Sequence, residues 1–337
     1  MRAPAFGAPA TDLYAAAVEQ CAWADKLGFH YVHLAEHHGA EDSYCPSPLI
    51  LAAAIASRTR WIELHFSALV VTMHDPIRLA EDLAVLDLIT GGGRISVTAG
   101  IGYRPLEFEL FGVEYGARAR RFEQVLGVLG DAWSGNEFSY RGASVRVTPA
   151  PVTPGGPPVY LGGSAAPSAR RAARLGYGYR PTNEYLYETF QRECRELGRP
   201  APAPFSRHVP AFLHVTEDPD RDWPLLAPHV LHASNLYARW ARERPNAPAN
   251  GAWREQSGLA DLKADPDLWV ITPEECIRRT RELRGIDELR FHPLLGGLDP
   301  ELSWRSLKLF EAKVLPNLYI TSSDDSSHRS RDADETE

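Results

Sequence analysis

Lysine is nearly missing from this chain. It occurs only at Lys26, Lys263, Lys308 and Lys313, so arginine carries almost all the positive charge and no polybasic block exists. With a formal net charge of −8, this excludes nucleic acid as the natural partner and leaves no means of docking to an anionic membrane by charge. No apolar stretch approaches the ~18 residues needed to span a bilayer, and no charged segment followed by an apolar run marks a leader. Cysteine is sparse too. Cys21, Cys45, Cys194 and Cys276 show no C-x-x-C spacing, which argues against a disulfide framework and suits reduced thiols. These absences predict a cytoplasmic protein that handles a small molecule.

Strand-like and helix-like runs alternate along the chain. Asp12 to Leu27 has helical spacing and stops at Gly28; Tyr31 to Leu34 reads as a strand; Ser47-Pro48 opens a helix through Ala56. Ile62 to Val71 reads as a strand, Asp75-Pro76 supplies a cap and first-turn proline for Ile77 to Ile89, and Arg94 to Ala99 is the next strand. Arg118 to Trp133 is helical, Val159 to Leu161 is a short buried strand, and Ser164 is expected to cap the following helix. Gly178 to Arg180, Val209 to Val215 and Glu288 to His292 give the sixth, seventh and eighth strands, with a helix capped by Thr272-Pro273-Glu274-Glu275 between the last two. This order predicts an α/β TIM (β/α)8 barrel over residues 1–320. Its first strand, within Met1 to Phe6, is expected to be clipped, since Pro4 removes a ladder donor from an already short segment. Residues 217–267 are too long for a barrel loop and are expected to be an insertion after strand seven, a mobile cover bearing Trp223, Trp240 and Trp253. Residues 321–337 lack an apolar period and are expected to be a disordered tail.

The densest chemical signal is Glu36-His37-His38-Gly39, where an apolar strand ends and a loop begins. In a barrel that junction is where ligands bind, and imidazoles there can hold or move a proton near neutral pH. His33, Glu36 and His37 spell H-x-x-E-H, whose zinc chemistry needs both imidazoles one helical turn apart. On a strand they fall about 13 Å apart, so no metal is expected. Cys45 leaves open a thiol nucleophile paired with histidine. Gly100-Ile101-Gly102-Tyr103-Arg104-Pro105 begins like a dinucleotide fingerprint but has proline where the third glycine belongs. Gly155-Gly156 reads as chain reversal, whereas Gly162-Gly163-Ser164 precedes a helix and so suits an anion.

Leu34-Ala35-Glu36-His37-His38-Gly39, His74-Asp75-Pro76-Ile77-Arg78-Leu79-Ala80-Glu81-Asp82, Gly100 to Phe108, Gly156 to Ser164 and Arg171 to Gly176 follow one another in an order that resembles the bacterial luciferase-like flavin-dependent oxidoreductases. The resemblance covers most of residues 8–318. It implies a TIM barrel and a flavin site using reduced FMN with dioxygen, or the deazaflavin F420. It also implies that His37 acts as catalytic base, with Glu36 and His38 beside it. Cofactor contacts are then expected from Ser67, Ala68, Gly100, Gly102, Tyr103, Arg104, Gly162, Gly163 and Ser164. Where luciferase has an arginine near the flavin phosphate this chain has Ile101, so phosphate binding is expected to rest on Ser164, backbone amides and Arg104. The chain also begins almost inside the family's first-strand motif, so an incomplete first strand or a misassigned start is expected. The reading is a monooxygenase that takes reduced FMN from a separate flavin reductase, oxidises a small organic substrate and forms a homodimer. F420-dependent hydride transfer and flavin binding without turnover are the alternatives.

Overall fold

The computed structural model describes residues 1–200, 202–243 and 254–318. The expected tail at 321–337 and Trp253 lie outside them. Helix α1 (Ala10–Lys26) runs to Gly28, whose φ of 77° closes it in the left-handed region that glycine tolerates. The strands β1 (Tyr31–Leu34), β2 (Glu63–Leu69) and β3 (Ile95–Ala99) follow, separated by α2 (Pro48–Ala56) and α3 (Pro76–Thr90). The α3 cap is as the sequence predicts: the Asp75 carboxylate accepts the N–H groups of Ile77 and Arg78. Next come α4 (Pro105–Leu110), α5 (Arg118–Trp133) and a hairpin of β4 (Phe138–Tyr140) and β5 (Ala143–Val145). Then β6 (Val159–Gly163), α6 (Ala166–Leu175), β7 (Gly178–Pro181) and α7 (Glu184–Glu196) continue the alternation. The last part carries β8 (His208–Val209), β9 (Phe212–Val215), α8 (Pro219–Arg242), α9 (Leu259–Ala264), β10 (Leu268–Ile271), α10 (Pro273–Arg281), β11 (Glu288–Leu289) and α11 (Pro300–Leu309).

All ladders except the β4–β5 hairpin are parallel, in the order β1-β2-β3-β6-β7, with β11-β8 and β10-β9 as separate pairs. Side chains join these pieces into the barrel wall. Tyr31 Oη donates to Glu288 Oε1 at 2.7 Å, and the His33 and His208 rings stand 5.0 Å apart, bringing β11-β8 against β1. Helices cover the outside of β1 to β7, where Leu64, Phe66, Leu69, Val97 and Leu161 are fully buried with Leu79, Leu83, Phe122 and Leu126.

Three expectations change. The single strand expected over Val209 to Val215 is two, because Pro210 has no N–H to donate and breaks the ladder; β8 then pairs with β11 and β9 with β10. β10 itself, the fully buried Leu-Trp-Val-Ile run, is an additional strand. Residues Met1 to Pro9 carry no strand among the described residues. None of the described helices is long and apolar enough to cross a membrane.

Candidate active site

The carboxyl-terminal ends of β1, β2 and β3 meet around Glu36 and His37. At the end of β2 the register with β3 slips between Ser67 and Leu69, leaving Ala68 with no partner across the ladder, a bulge at the barrel rim. The freed Ala68 carbonyl accepts the Glu36 N–H at 3.3 Å, and the Ser67–Ala68 peptide is cis. Glu36 is buried and fully engaged. Its carboxylate accepts from His38 Nε2 at 2.8 Å, from His74 Nε2 at 2.9 Å and from the Val70 N–H at 2.6 Å. Burial alone would raise its pKa, but these donors outweigh burial and hold it at about 2. Glu36 is therefore an anchor for two imidazoles and not itself a proton carrier near neutral pH.

His37 is only 8 % exposed and its Nδ1 lies 2.9 Å from Glu107 Oε1. Glu107, fully buried on α4, also accepts the His38 N–H at 3.1 Å and faces Arg104 Nη1 at 3.4 Å. With Nδ1–H donated to a carboxylate, the other ring nitrogen, Nε2, keeps its lone pair. Burial lowers the His37 pKa from the ordinary 6.5 while Glu107 works in the opposite direction. The imidazole is consequently neutral at pH 7 and able to accept a proton. Four aromatic rings surround it: Trp240 at 4.8 Å, Tyr44 at 4.9 Å, Tyr103 at 5.6 Å and Tyr237 at 6.2 Å. Tyr237 and Trp240 come from the last turns of α8. Trp223, at the other end of that helix, packs instead with Phe212 and Leu268 in the core, so of the two described tryptophans of this segment Trp240 is the one against His37.

Arg2 and Arg104 complete the cluster. The Arg2 guanidinium pairs with Asp42 at 2.6 Å, and His232 reaches the same Asp42 oxygen at 2.9 Å. Arg104 donates to the His38 carbonyl at 3.0 Å and stacks on Trp240 at 4.1 Å. Among the described residues seven buried side-chain polar atoms lack a hydrogen-bond partner, and four gather here: Arg2 Nη2, Asp42 Oδ1, Arg104 Nε and Glu107 Oε2. Arg104 Nε does lie 3.5 Å from Glu243 Oε2, an ion pair whose geometry makes no hydrogen bond. Two donors and two acceptors left unsatisfied beside one imidazole fit an organic ligand with both kinds of edge.

At the end of β6, Gly162 and Gly163 are explained by packing. A side chain on Gly162 would meet Thr98 Cγ2 at 2.8 Å, and one on Gly163 would collide with Ser168 Oγ. Ser164 does not cap α6: the N-cap is Ala165, no side chain caps the helix, and no acidic residue occupies its first turn. Ser164 stands one residue ahead of that N-cap, where the first backbone N–H groups of α6 suit an anion such as a flavin phosphate. Arg104 is turned to the His37 side of the barrel mouth. Gly100 and Gly102 shape the loop after β3, where Gly102 has a φ of 75° and sits against Phe108. Cys45 meets His37 through its carbonyl, at 3.4 Å from the His37 N–H, and its thiol pairs with Tyr14.

One other cluster has metal-ligand character: atoms of His33, His208 and Glu288 lie within 4.8 Å of one another inside the barrel. Both Glu288 oxygens are taken, one by His208 Nδ1 at 2.7 Å and the other by Tyr31. Arg180 and Arg290 add positive charge around His33.

The sequence model of the luciferase-like monooxygenase family matches residues 2–286. This chain belongs to that family. The 4-hydroxyprotoasukamycin monooxygenase of Streptomyces nodosus subsp. asukaensis is 25% identical over 324 residues, covering 89% of this chain and 85% of that protein. The oxygenase component of the flavin-dependent trigonelline monooxygenase of Acinetobacter baylyi is 24% identical over 181 residues, 52% of this chain and 50% of that protein. The chain spans just under half the length, 46% and 47%, of two uncharacterized Sinorhizobium fredii proteins that it also matches. Among solved structures, the FMN complex of the oxygenating constituent of 3,6-diketocamphane monooxygenase from Pseudomonas putida superposes with a TM-score of 0.70 at 18% identity, over 92% of this chain and 95% of that one. An F420-dependent secondary alcohol dehydrogenase does so at 0.63 and 16%, over 90% and 95%. The fold is thus the luciferase-like TIM barrel.

Glu107, His74, Asp42, Tyr44 and Tyr237 were not singled out in the sequence. Glu107 had a signal: a carboxylate in the first turn of a helix opening immediately after a strand, on the same rim as the histidines.

Proposed function

We propose that this protein is a flavin-dependent monooxygenase that takes reduced FMN from a separate flavin reductase and uses dioxygen to oxidise a small organic substrate. The carrying observation is the buried His37–Glu107 pair with unsatisfied polar atoms around it at the barrel mouth. Bound reduced flavin would supply the electrons that activate dioxygen. His37 Nε2 takes or returns the proton at the reacting centre, Glu107 fixes the ring's tautomer, and Glu36 holds His38 and His74 in place. Ser164 and the start of α6 would hold the FMN phosphate, with Ser67, Ala68, Gly100, Gly102 and Tyr103 along the ring's edge. Trp240 and Tyr237 exclude water from His37, and residues 217–267 act as the cover; limited proteolysis within that segment should slow when reduced flavin is bound, and unchanged cutting would refute the cover. We read the chemistry as metal-free, since His208 and Tyr31 already occupy the two Glu288 oxygens and Arg180 and Arg290 set positive charge around His33. The uncombined thiols of all four cysteines suit a reducing compartment such as the cytoplasm, and we take the protein to act there as a homodimer.

Anaerobic titration with reduced FMN and, separately, reduced F420, followed by oxygen uptake, decides the cofactor. Tight FMN binding with oxygen consumption supports the proposal, whereas hydride transfer from F420 without oxygen uptake supports the dehydrogenase reading. His37→Ala should cut turnover about 10²- to 10⁴-fold with flavin affinity retained. Turnover within threefold of wild type would leave His37 without its role.

A further inference from the structure

Arg2 sits in a box that its own side chain explains poorly. Its guanidinium carbon lies 4.6 Å from the Tyr44 ring, 4.4 Å from Tyr237 and 4.6 Å from Trp240. The Asp42 carboxylate closes the remaining side at 2.6 Å. Three aromatic faces and one carboxylate, all buried but the half-buried Tyr237, form the arrangement that recognises an organic cation. We propose that this cage is the substrate's subsite for a cationic group, with Arg2 occupying it as the chain's own stand-in ligand.

The polar accounting separates this from a simple anchor for the first residues. An anchoring arginine ends with its donors paired, because a buried hydrogen bond left unmade is costly. Here Arg2 Nη2 and Asp42 Oδ1 are both buried and unpartnered. A quaternary ammonium group has no N–H to leave unsatisfied, and it presents only positive methyl surface to the rings. It removes the unmet donor, while Asp42 Oδ2 keeps His232 as its partner and the carboxylate charge faces the methyl groups. The cage also adjoins the proposed base, since Tyr44 and Trp240 are the two rings nearest His37, at 4.9 and 4.8 Å. Backbone bonds tie the occupying segment only lightly on this side: Ala3 N–H to Asp42 O at 2.7 Å and Cys45 N–H to Met1 O at 3.0 Å. The inference rests on the reading that His37 faces the substrate, and it adds the substrate's class.

The test uses choline and its uncharged carbon isostere, 3,3-dimethyl-1-butanol, titrated calorimetrically into the whole protein. Arg2→Ala should bind choline about tenfold more tightly than wild type, with no matching gain for the isostere, and adding Trp240→Leu should remove the gain. No gain, or an equal gain for the isostere, overturns the proposal. Should Arg2→Ala fail to fold, the wild type decides: saturating choline must speed amide exchange at Ala3 and Cys45, and unchanged exchange overturns the cage. Neither measurement involves flavin or turnover. Choline binding without flavin binding would therefore refute the functional reading alone, and FMN-dependent oxygen use without choline binding would refute the cage alone.

Discussion

At the scale of single residues, the site is organised by two carboxylates with different tasks. Glu36 engages both oxygens, with His38, His74 and Val70, whereas Glu107 keeps one oxygen unbonded and gives the other to His37. Glu107→Gln should therefore act through His37 without touching substrate. Removing the negative charge takes away what opposes burial, so the His37 pKa falls further and the acid limb of the pH–rate profile moves to lower pH. The amide can also present its NH₂ to Nδ1 and select the wrong tautomer, so the plateau rate should drop about 10²-fold. A profile with an unmoved acid limb would show that Glu107 merely fills space. The His-Glu run was legible because those residue types cluster at a strand end. Glu107 showed only as a first-turn carboxylate after β3, with nothing to pair it with His37, and Asp42 not at all, since each lies far from its imidazole in sequence and only the fold joins them.

At the scale of elements, most boundaries were readable from caps and stops, as at Asp75 before α3 and Gly28 after α1. The misreadings have local causes. A buried four-residue strand such as β10 has no period to display, and it lies beside a segment whose length suggested an insertion. Ser164 has the composition of a cap, yet α6 starts after Ala165. That displacement yields a sharp expectation: Ser164→Ala should leave helix stability nearly unchanged while weakening FMN binding by roughly 1 to 3 kcal/mol. Riboflavin, which lacks the phosphate, is the control. Equal weakening for both flavins, or a lowered melting temperature without flavin, would return Ser164 to a structural role.

At the scale of the whole molecule, several histidines are buried where the charged imidazolium is disfavoured. His65, between Ser96 and Thr98, is held by burial at about 3, His292 at about 3 and His214 at about 4. In the unfolded chain each would protonate near 6.5, so between 6.5 and those lower values the unfolded state binds more protons. Stability should fall as pH drops through that window, by about 1.4 kcal/mol per pH unit for each such histidine. Glu36 and Asp42, both held at about 2, lose their contribution in the same direction below about pH 4. Urea denaturation across pH 7.5 to 4 checks this, and a midpoint that stays level would contradict the buried neutral imidazoles.

The interrupted wall bears on how the molecule comes apart. Backbone hydrogen bonds run unbroken from β1 to β7, whereas the described residues of β8 to β11 join that sheet only by side chains. A barrel laced this way has two grades of cohesion, and thermal agitation should loosen the lesser one first, as a cooperative unit spanning β8 to α11. Because α8 belongs to that unit, each such excursion would also draw Trp240 and Tyr237 off His37. The same fluctuation that marks the first step of unfolding would then set how often the site meets solvent.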